Sequence, residues 1–426
     1  MSIRQPFLLL AALACALPPA WAQDGGAQAW TLSQALAAAR DNSDVAQARS
    51  ALAAARADVQ SADHAPAPVL TAKASQMDLQ HGLGPGNVLT GKRIDKSLGV
   101  DWTWERGGKR GLRTQATRSA AEAAQADVED TQVQQLQAAL AAYYDLMATQ
   151  EKLQETTAIE RSAAALARMA DLRVQAGDAS AQDAARTHIE AERVQADVQA
   201  ARLAREQAAL TLAQLTAQHG ALQASGTAWP APTPPQESAA TGEAALQALA
   251  DARADVRAAT ARVQAAQAAL DGASALRKAD VTLGASLDHY PGTSNRLVEL
   301  RLQVPLNWGY RFEGETGRAQ AELTRAQDAL DNTRRLALLD LRRLQQTAQA
   351  AAARALRYDS GILPRARQVA ESAELAYRKG ALPLTDVLDA QRTLRATVLE
   401  ALDARADYAK AQGAWLLRTQ PQALLP

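Results

Sequence analysis

One pattern constrains this chain before any other: an alanine-rich helical unit is written twice. The segment NSDVAQARSALAAARADV sets Val45, Leu52 and Val59 seven residues apart, and RADVRAATARVQAAQAAL repeats the spacing with Val256, Val263 and Leu270. In each copy this helix gives way to two strand-like runs, then to a helical segment several times the usual length. A glycine and a last helix follow. LRVQAGDASAQDAAR around Gly177 answers LAYRKGALPLTDVLDAQR around Gly380. Between the copies lies GTAWPAPTPPQES, whose prolines and small residues cannot continue a helix. The organisation expected is a signal peptide at 1–22, a first repeat at 23–226, a Pro-rich linker at 227–240, a second repeat at 241–420 and a tail at 421–426.

The long helices dictate shape. In the first copy one is expected from Leu112 to Gln175, which at 1.5 Å per residue is on the order of 100 Å. Its stripe of Leu136, Leu140, Tyr143 and Met147 is the narrow kind that mates with another helix. The partner, Ala181 to Gln218, carries Val194, Val198, Leu203 and Leu210. The second copy gives Gly317 to Arg378, with Pro364 expected to kink or divide it, and then Leu384 to Leu417. The chain has only 2 Phe and 4 Met. Close alanine packing in an elongated bundle is therefore expected in place of a ball filled by large side chains. Taken alone, the helices favour a plain elongated coiled coil.

The strands separate those readings. The runs VLTAKASQM (69–77), SLGVDWTW (97–104), VTLGASLDHY (281–290) and RLVELRLQVPL (296–306) read as strands, and alternation is clearest in the last two. Segments of about 9 to 11 alternating residues suit a tilted strand crossing a bilayer. Four strands cannot close a membrane barrel, and open edges are not tolerated in hydrocarbon. Three copies would pool about twelve strands, an ordinary barrel size. Aromatic residues are only 4 % of the chain, yet Trp102, Trp104, Trp308, Tyr310 and Phe312 gather where strands meet helices. A girdle at a membrane–water boundary has that placement. A small soluble sheet capping a coiled coil is the competing reading.

The first stretch, MSIRQPFLLLAALACALPPAWAQ, has Arg4 before an apolar core and Ala20 and Ala22 at a cleavage site, the features of a secretory signal peptide. Cys15, the only cysteine, lies inside that core in a poor lipoprotein context, so neither a lipid anchor nor a disulfide is expected. No later run offers the roughly 20 apolar residues of a membrane-spanning helix. With 46 basic and 46 acidic residues there is no electrostatic case for a nucleic-acid partner. No phosphate loop, nucleophile elbow or H-E-x-x-H occurs, and no enzyme activity or cofactor is expected. His64, His81, His188, His219 and His289 are scattered without ligand spacing, so no metal site is expected.

Four segments carry a family likeness: TLSQALAAARDNSDVAQAR, the RGGKR turn after Trp104, VPLNWGYR, and YRKGALPLTDVLDAQRTL. With the duplication, they make the chain resemble the outer-membrane efflux protein family, the TolC-like exit ducts. The GGKR form of the turn is most similar to the heavy-metal (cobalt–zinc–cadmium) outer-membrane components. The resemblance implies a mostly α fold with β: a long helical coiled-coil barrel in the periplasm and a trimeric, twelve-stranded transmembrane β-barrel with four strands per protomer. It implies a homotrimer in the outer membrane, a periplasmic membrane-fusion adaptor, and an inner-membrane RND-type pump that supplies the energy. The expected cargo is heavy-metal cations. Drug efflux and type I secretion are the alternatives, with a periplasmic adaptor or a structural coiled coil behind them.

The same resemblance places a periplasmic gate at Tyr377, Asp386 and Asp389, with helix-turn tips at Gly177 and Gly380. Asp386 and Asp389, three apart, share a helix face and would form stacked carboxylate rings in a trimer. A favourable placement against the helix dipole is the other reading, and the two are compatible. Leu382 stands where the family often has a polar or basic residue. Adaptor contacts are expected around Arg173 to Asp183 and Arg378 to Asp386.

Overall fold

A computed structural model of the chain describes residues 28–77, 80, 94–218, 220, 222–233, 242–291 and 294–424. The expected signal peptide with Cys15, residues 234–240 of the expected linker, and His81 and His219 lie outside the described residues.

The chain opens with β1 (Gln28–Trp30), α1 (Leu32–Ala39) and α2 (Ser43–Ala62). Both helices start on side-chain caps. Thr31 and Gln34 form a reciprocal capping box, and the Asn42 carboxamide accepts the Val45 N–H at 3.1 Å. Two strands follow, β2 (Val69–Ser75) and β3 (Asp95–Trp104), then α3 (Lys109–Ala176) and α4 (Ala181–Thr216). After the short β4 (Leu222–Ala224) the order recurs: α5 (Glu243–Ala252), α6 (Ala254–Ala275), β5 (Val281–Tyr290), β6 (Ser294–Gln303), a long helical run, and α9 (Leu384–Thr419).

The 68-residue α3 contains no proline and a single glycine, Gly111, so nothing in its sequence interrupts it. Its counterpart does break. Where Pro364 was expected to kink or divide the helix running to Arg378, there is α7 (Glu313–Arg357), a π turn (Tyr358–Ile362) and α8 (Leu363–Arg378). Pro364 has no N–H to give the carbonyl four residues back. The chain absorbs the loss by widening the preceding turn, so that the Leu363 N–H reaches the Tyr358 carbonyl five residues back. α9 holds the wide turn in place. Glu400 accepts the Tyr358 hydroxyl at 2.9 Å, and Arg405 donates to Asp359 at 2.8 Å.

The four longer strands form one antiparallel sheet in the order β2-β3-β5-β6. Leu98 lies opposite Leu287, Val100 opposite Ala285 and Trp102 opposite Leu283, and Leu302, Leu300 and Val298 extend the same face on β6. That face is exposed: Leu300 is 82 % accessible, and Leu287, Val298 and Leu302 are 65–67 %. The reverse face is polar. Ser286 and Asp288 are buried there, Thr103 and Thr282 share a hydrogen bond at 2.9 Å, and Arg301 donates to Asp101 at 3.2 Å. Gly284 makes room for the last pair, because a Cβ there would fall 2.3 Å from Asp101 Oδ1.

This sheet corrects the expected fold class. Among the described residues no sheet closes, and they form neither a twelve-stranded nor any other transmembrane β-barrel. The four strands form an open sheet with β2 and β6 as its edges, because four strands are too few to curl back on themselves. No helix among the described residues is long and apolar enough to cross a membrane. A second sheet was not expected at all: β1 and β4 pair in parallel through Gln28–Leu222, Ala29–Gln223 and Trp30–Ala224.

That small sheet sits on the main core. Trp30, Leu36, Leu136, Leu140, Tyr143, Leu146, Leu212, Leu222 and Leu417 cluster where α1, α3, α4 and α9 converge. The buried Tyr143 hydroxyl is spent on Thr227 Oγ1 (2.8 Å) and on the carbonyls of Ser225 and Trp30, and burial raises its pKa. Along the rest of α3 and α9 the packing is by small residues, reinforced by the pairs Lys152–Asp403, Lys410–Asp145 and Arg418–Asp130. The tightest approach is at Gly413, where an added Cβ would fall 2.4 Å from Leu140 Cδ1. Gly413→Val should therefore destabilise the protein by about 1–3 kcal/mol in urea unfolding. Adding Leu140→Ala should recover part of the loss. No coupling between the two substitutions would mean that the helices do not meet there.

Candidate functional site

The far ends of the two helical pairs form one cluster. α3 ends at Ala176 and α8 at Arg378, each followed closely by a glycine in the left-handed region: Gly177 at φ +82° and Gly380 at φ +75°. Beyond each glycine the next N–H bonds back to the helix, Asp178 to the Arg173 carbonyl at 2.8 Å and Ala381 to the Ala376 carbonyl at 2.9 Å. A Cβ at either glycine would meet no atom within 4 Å, so backbone conformation and not crowding selects glycine.

Leu166 and Met169 of α3 pack against Tyr377, Leu384, Val387 and Leu388, which joins the tip of the first pair to that of the second. Tyr377 is 7 % exposed, with the Arg173 guanidinium 4.7 Å above its ring centroid. Its position thus depends on both pairs. Asp386 and Asp389 point away from this cluster. Both are exposed, one turn apart on α9, and neither forms an ion pair among the described residues. Asp386 stands in the first turn, where the helix dipole favours a carboxylate, and accepts the Thr385 hydroxyl at 3.3 Å.

A second link between the pairs was missed from sequence. Glu190 of α4 is 6 % exposed, and it accepts from Arg392 Nη2 at 2.8 Å and from Nε at 3.1 Å. Arg395 lies 3.4 Å from the same carboxylate and 3.3 Å from Asp197. The hydrogen bonds that Arg392 donates to Glu190 raise the Arg392 pKa; burial opposes this, and the charges of Glu190 and Asp389 add to the rise. The sequence did hold a signal. Glu190 occupies the buried stripe Ala184, Thr187, Glu190, Val194, Val198, where a carboxylate requires a cationic partner.

The strand–helix crossings hold the aromatic residues. Trp102 and Trp104 stand exposed on β3, Trp308 is 86 % exposed, and Tyr310 shares a 2.5 Å hydrogen bond with Glu315. Asp280, just before β5, fastens the first crossing by accepting the Arg106 N–H at 2.9 Å and Lys109 Nζ at 2.8 Å. Burial pushes the Asp280 pKa up, but these two partners bring it below the ordinary carboxylate value. Among the described residues no group of three His, Cys, Asp or Glu could hold a metal ion. His188 is instead paired with Asp171 at 3.0 Å, and His64 hydrogen-bonds the Gln60 carbonyl.

Residues 32–218 and 245–414 match the family model described as outer membrane efflux protein. By fold the chain is similar to a membrane protein from Pseudomonas aeruginosa, at 19 % identity and a TM-score of 0.76, covering 91 % of this chain and 93 % of that one. It is also similar to the outer membrane protein VceC of Vibrio cholerae, at 19 % identity, a TM-score of 0.73 and coverage of 91 % and 95 %. The open-state MtrE outer membrane channel of Neisseria gonorrhoeae gives 16 % identity, a TM-score of 0.69 and coverage of 91 % and 88 %. No curated protein matches the chain by sequence. With both halves matched over most of their length, the chain belongs to the outer membrane efflux protein family.

Proposed function

We propose that the chain is the outer-membrane exit duct of a tripartite efflux system, working as a homotrimer with its long helices in the periplasm. A periplasmic membrane-fusion adaptor would couple it to an inner-membrane RND-type pump. The chain is not an enzyme, because its family consists of non-catalytic transport channels. The observation that carries the reading is the combination, in one chain, of a sheet with an exposed apolar face and helices of 68 and 45 residues that leave its strands β3 and β6. The apolar face is read as lying against outer-membrane lipid, with Trp102, Trp104, Trp308 and Tyr310 at its border. Adaptor contact is assigned to the exposed tips beside Gly177 and Gly380.

The heavy-metal reading gives way to the drug-efflux alternative. The relatives are described as outer-membrane channels or membrane proteins, and none is described through a metal cargo. A strain lacking the gene should become several-fold more susceptible to organic dyes, detergents and antibiotics. Its tolerance of cobalt, zinc and cadmium salts should not change. The opposite pattern would restore metal cations as the cargo.

The gate is assigned to the tips, with Tyr377 as a packed hinge point and Asp386 and Asp389 as the charged constriction. What supports this is that both carboxylates are exposed and form no ion pair among the described residues, while their helix is fixed from behind by Val387 and Leu388. In planar bilayers the double variant D386A/D389A should relieve block of single-channel current by divalent cations. Block of undiminished depth in that variant would remove the pair from the gate.

A further inference from the structure

The chain as a whole is electrically balanced, so a local excess of one sign is informative. The crossing between β3 and α3 has such an excess. Glu105 is taken by Arg113, Asp63 by Arg110, and Asp280 by Lys109 together with the Arg106 backbone N–H. Those pairs consume the carboxylates that these segments bring to the crossing. The side chains of Arg106, Arg277 and Lys278 are left without an ion pair, although the Arg106 charge also helps to hold the Asp280 pKa down. All three are exposed, and none has an ion-pair partner among the described residues.

These cations are gathered and not scattered. Lys278 lies against the turn beside Arg106, since a Cβ on Gly107 would come within 3.0 Å of Lys278 Cδ and 3.3 Å of its Cβ. The alternation of exposed and half-buried residues runs unbroken from Trp102 through Trp104 to Arg106. Arg106 stands exposed two residues beyond the end of β3 at Trp104, next to the border of the face on which the two tryptophans stand. Above them on that face are Val100, Leu98 and Leu283, all exposed. The other crossing, between β6 and α7, lacks this character: Glu313 and Glu315 follow Arg311, and Tyr310 is bound to Glu315.

We propose that Arg106, Arg277 and Lys278 bind the phosphate of an anionic membrane lipid at the helix-side border of the apolar sheet face. The inference rests on the reading above that this face lies in the outer membrane. The three chemistries occur in the order a phospholipid needs: aliphatic side chains for acyl chains, indoles at headgroup depth, then unpaired cations for the phosphate. Two guanidiniums can each offer a forked pair of N–H donors to phosphate oxygens, and Lys278 adds a point charge.

The test uses the full chain, delipidated in a non-ionic detergent and titrated with phosphatidylglycerol or with phosphatidylethanolamine of the same acyl composition. Bound lipid is counted by native mass spectrometry. The wild type should retain phosphatidylglycerol preferentially. A cation near an anionic surface contributes about a fivefold change in binding, so R106Q/R277Q/K278Q should lose on the order of a hundredfold. The charge-conserving R106K/R277K/K278R should keep the preference. So should R168Q/R193Q/R202Q, which removes the same charge from exposed arginines of α3 and α4 that also lack ion pairs. Undiminished preference in the first variant would overturn the proposal. So would displacement of the lipid by equimolar inorganic phosphate, which would mark a free-anion site. Loss of adaptor co-purification with lipid preference intact would assign the surface to a protein partner and overturn it too. A wild type that fractionates with outer membranes yet shows no lipid preference defeats this inference alone, whereas one absent from those membranes defeats the functional reading.

Discussion

Leu98, Val100, Trp102, Leu283, Leu287, Val298, Leu300 and Leu302 share one face of a four-stranded sheet, and all are exposed among the described residues. At roughly 25 cal/mol per Å2 of apolar area, leaving such a face in water is unfavourable by many kilocalories per mole. A fold can tolerate that only if the face is meant for an apolar surrounding. The reverse face supports this reading. Thr103 bonds to Thr282, Ser286 to Asp288 and Arg301 to Asp101 there, so the sheet separates two environments and is not a core left unfinished.

The helices solve a different problem. They must stay straight and close for the whole length of α3 with few large side chains, and alanine and glycine let them approach while lysine–aspartate pairs fix their register. Asp280 ties sheet to helices at one end of α3. Tyr377, Arg173 and the Glu190–Arg392 contact tie the helical pairs to each other at the far end. A displacement of α9 at the tip is thus felt by α4 through a charged contact and by α3 through the apolar cluster of Leu384, Val387 and Leu388 with Leu166.

Much of this was legible in the sequence where a local rule decides the structure. Gly177 and Gly380 mark helix ends because only a left-handed residue closes that turn, and α4 starts at Ala181 because Ser180 caps it. Strand β5 runs from Val281 to Tyr290, as its alternation indicates, whereas β6 stops at Gln303, short of the expected Leu306, with Pro305 unable to donate to the ladder. Features set by distant partners were not legible. The β1–β4 pairing joins three-residue strands almost two hundred residues apart, and the π turn depends on Glu400 and Arg405 as well as on Pro364. Closure was expected only through three copies pooling about twelve strands, on strand count together with the family resemblance. Within the chain the edges β2 and β6 remain open, because strand number, and not strand character, decides closure.

The environment of the sheet can be read one residue at a time along β6. Spin labels placed singly at positions 297 to 302 of the full chain in native outer membranes should alternate. Val298, Leu300 and Leu302 should relax with dissolved oxygen, and Leu297, Glu299 and Arg301 with a water-soluble nickel complex. Uniform access of the nickel complex at all six positions would contradict the account, because the apolar face would then be standing in water.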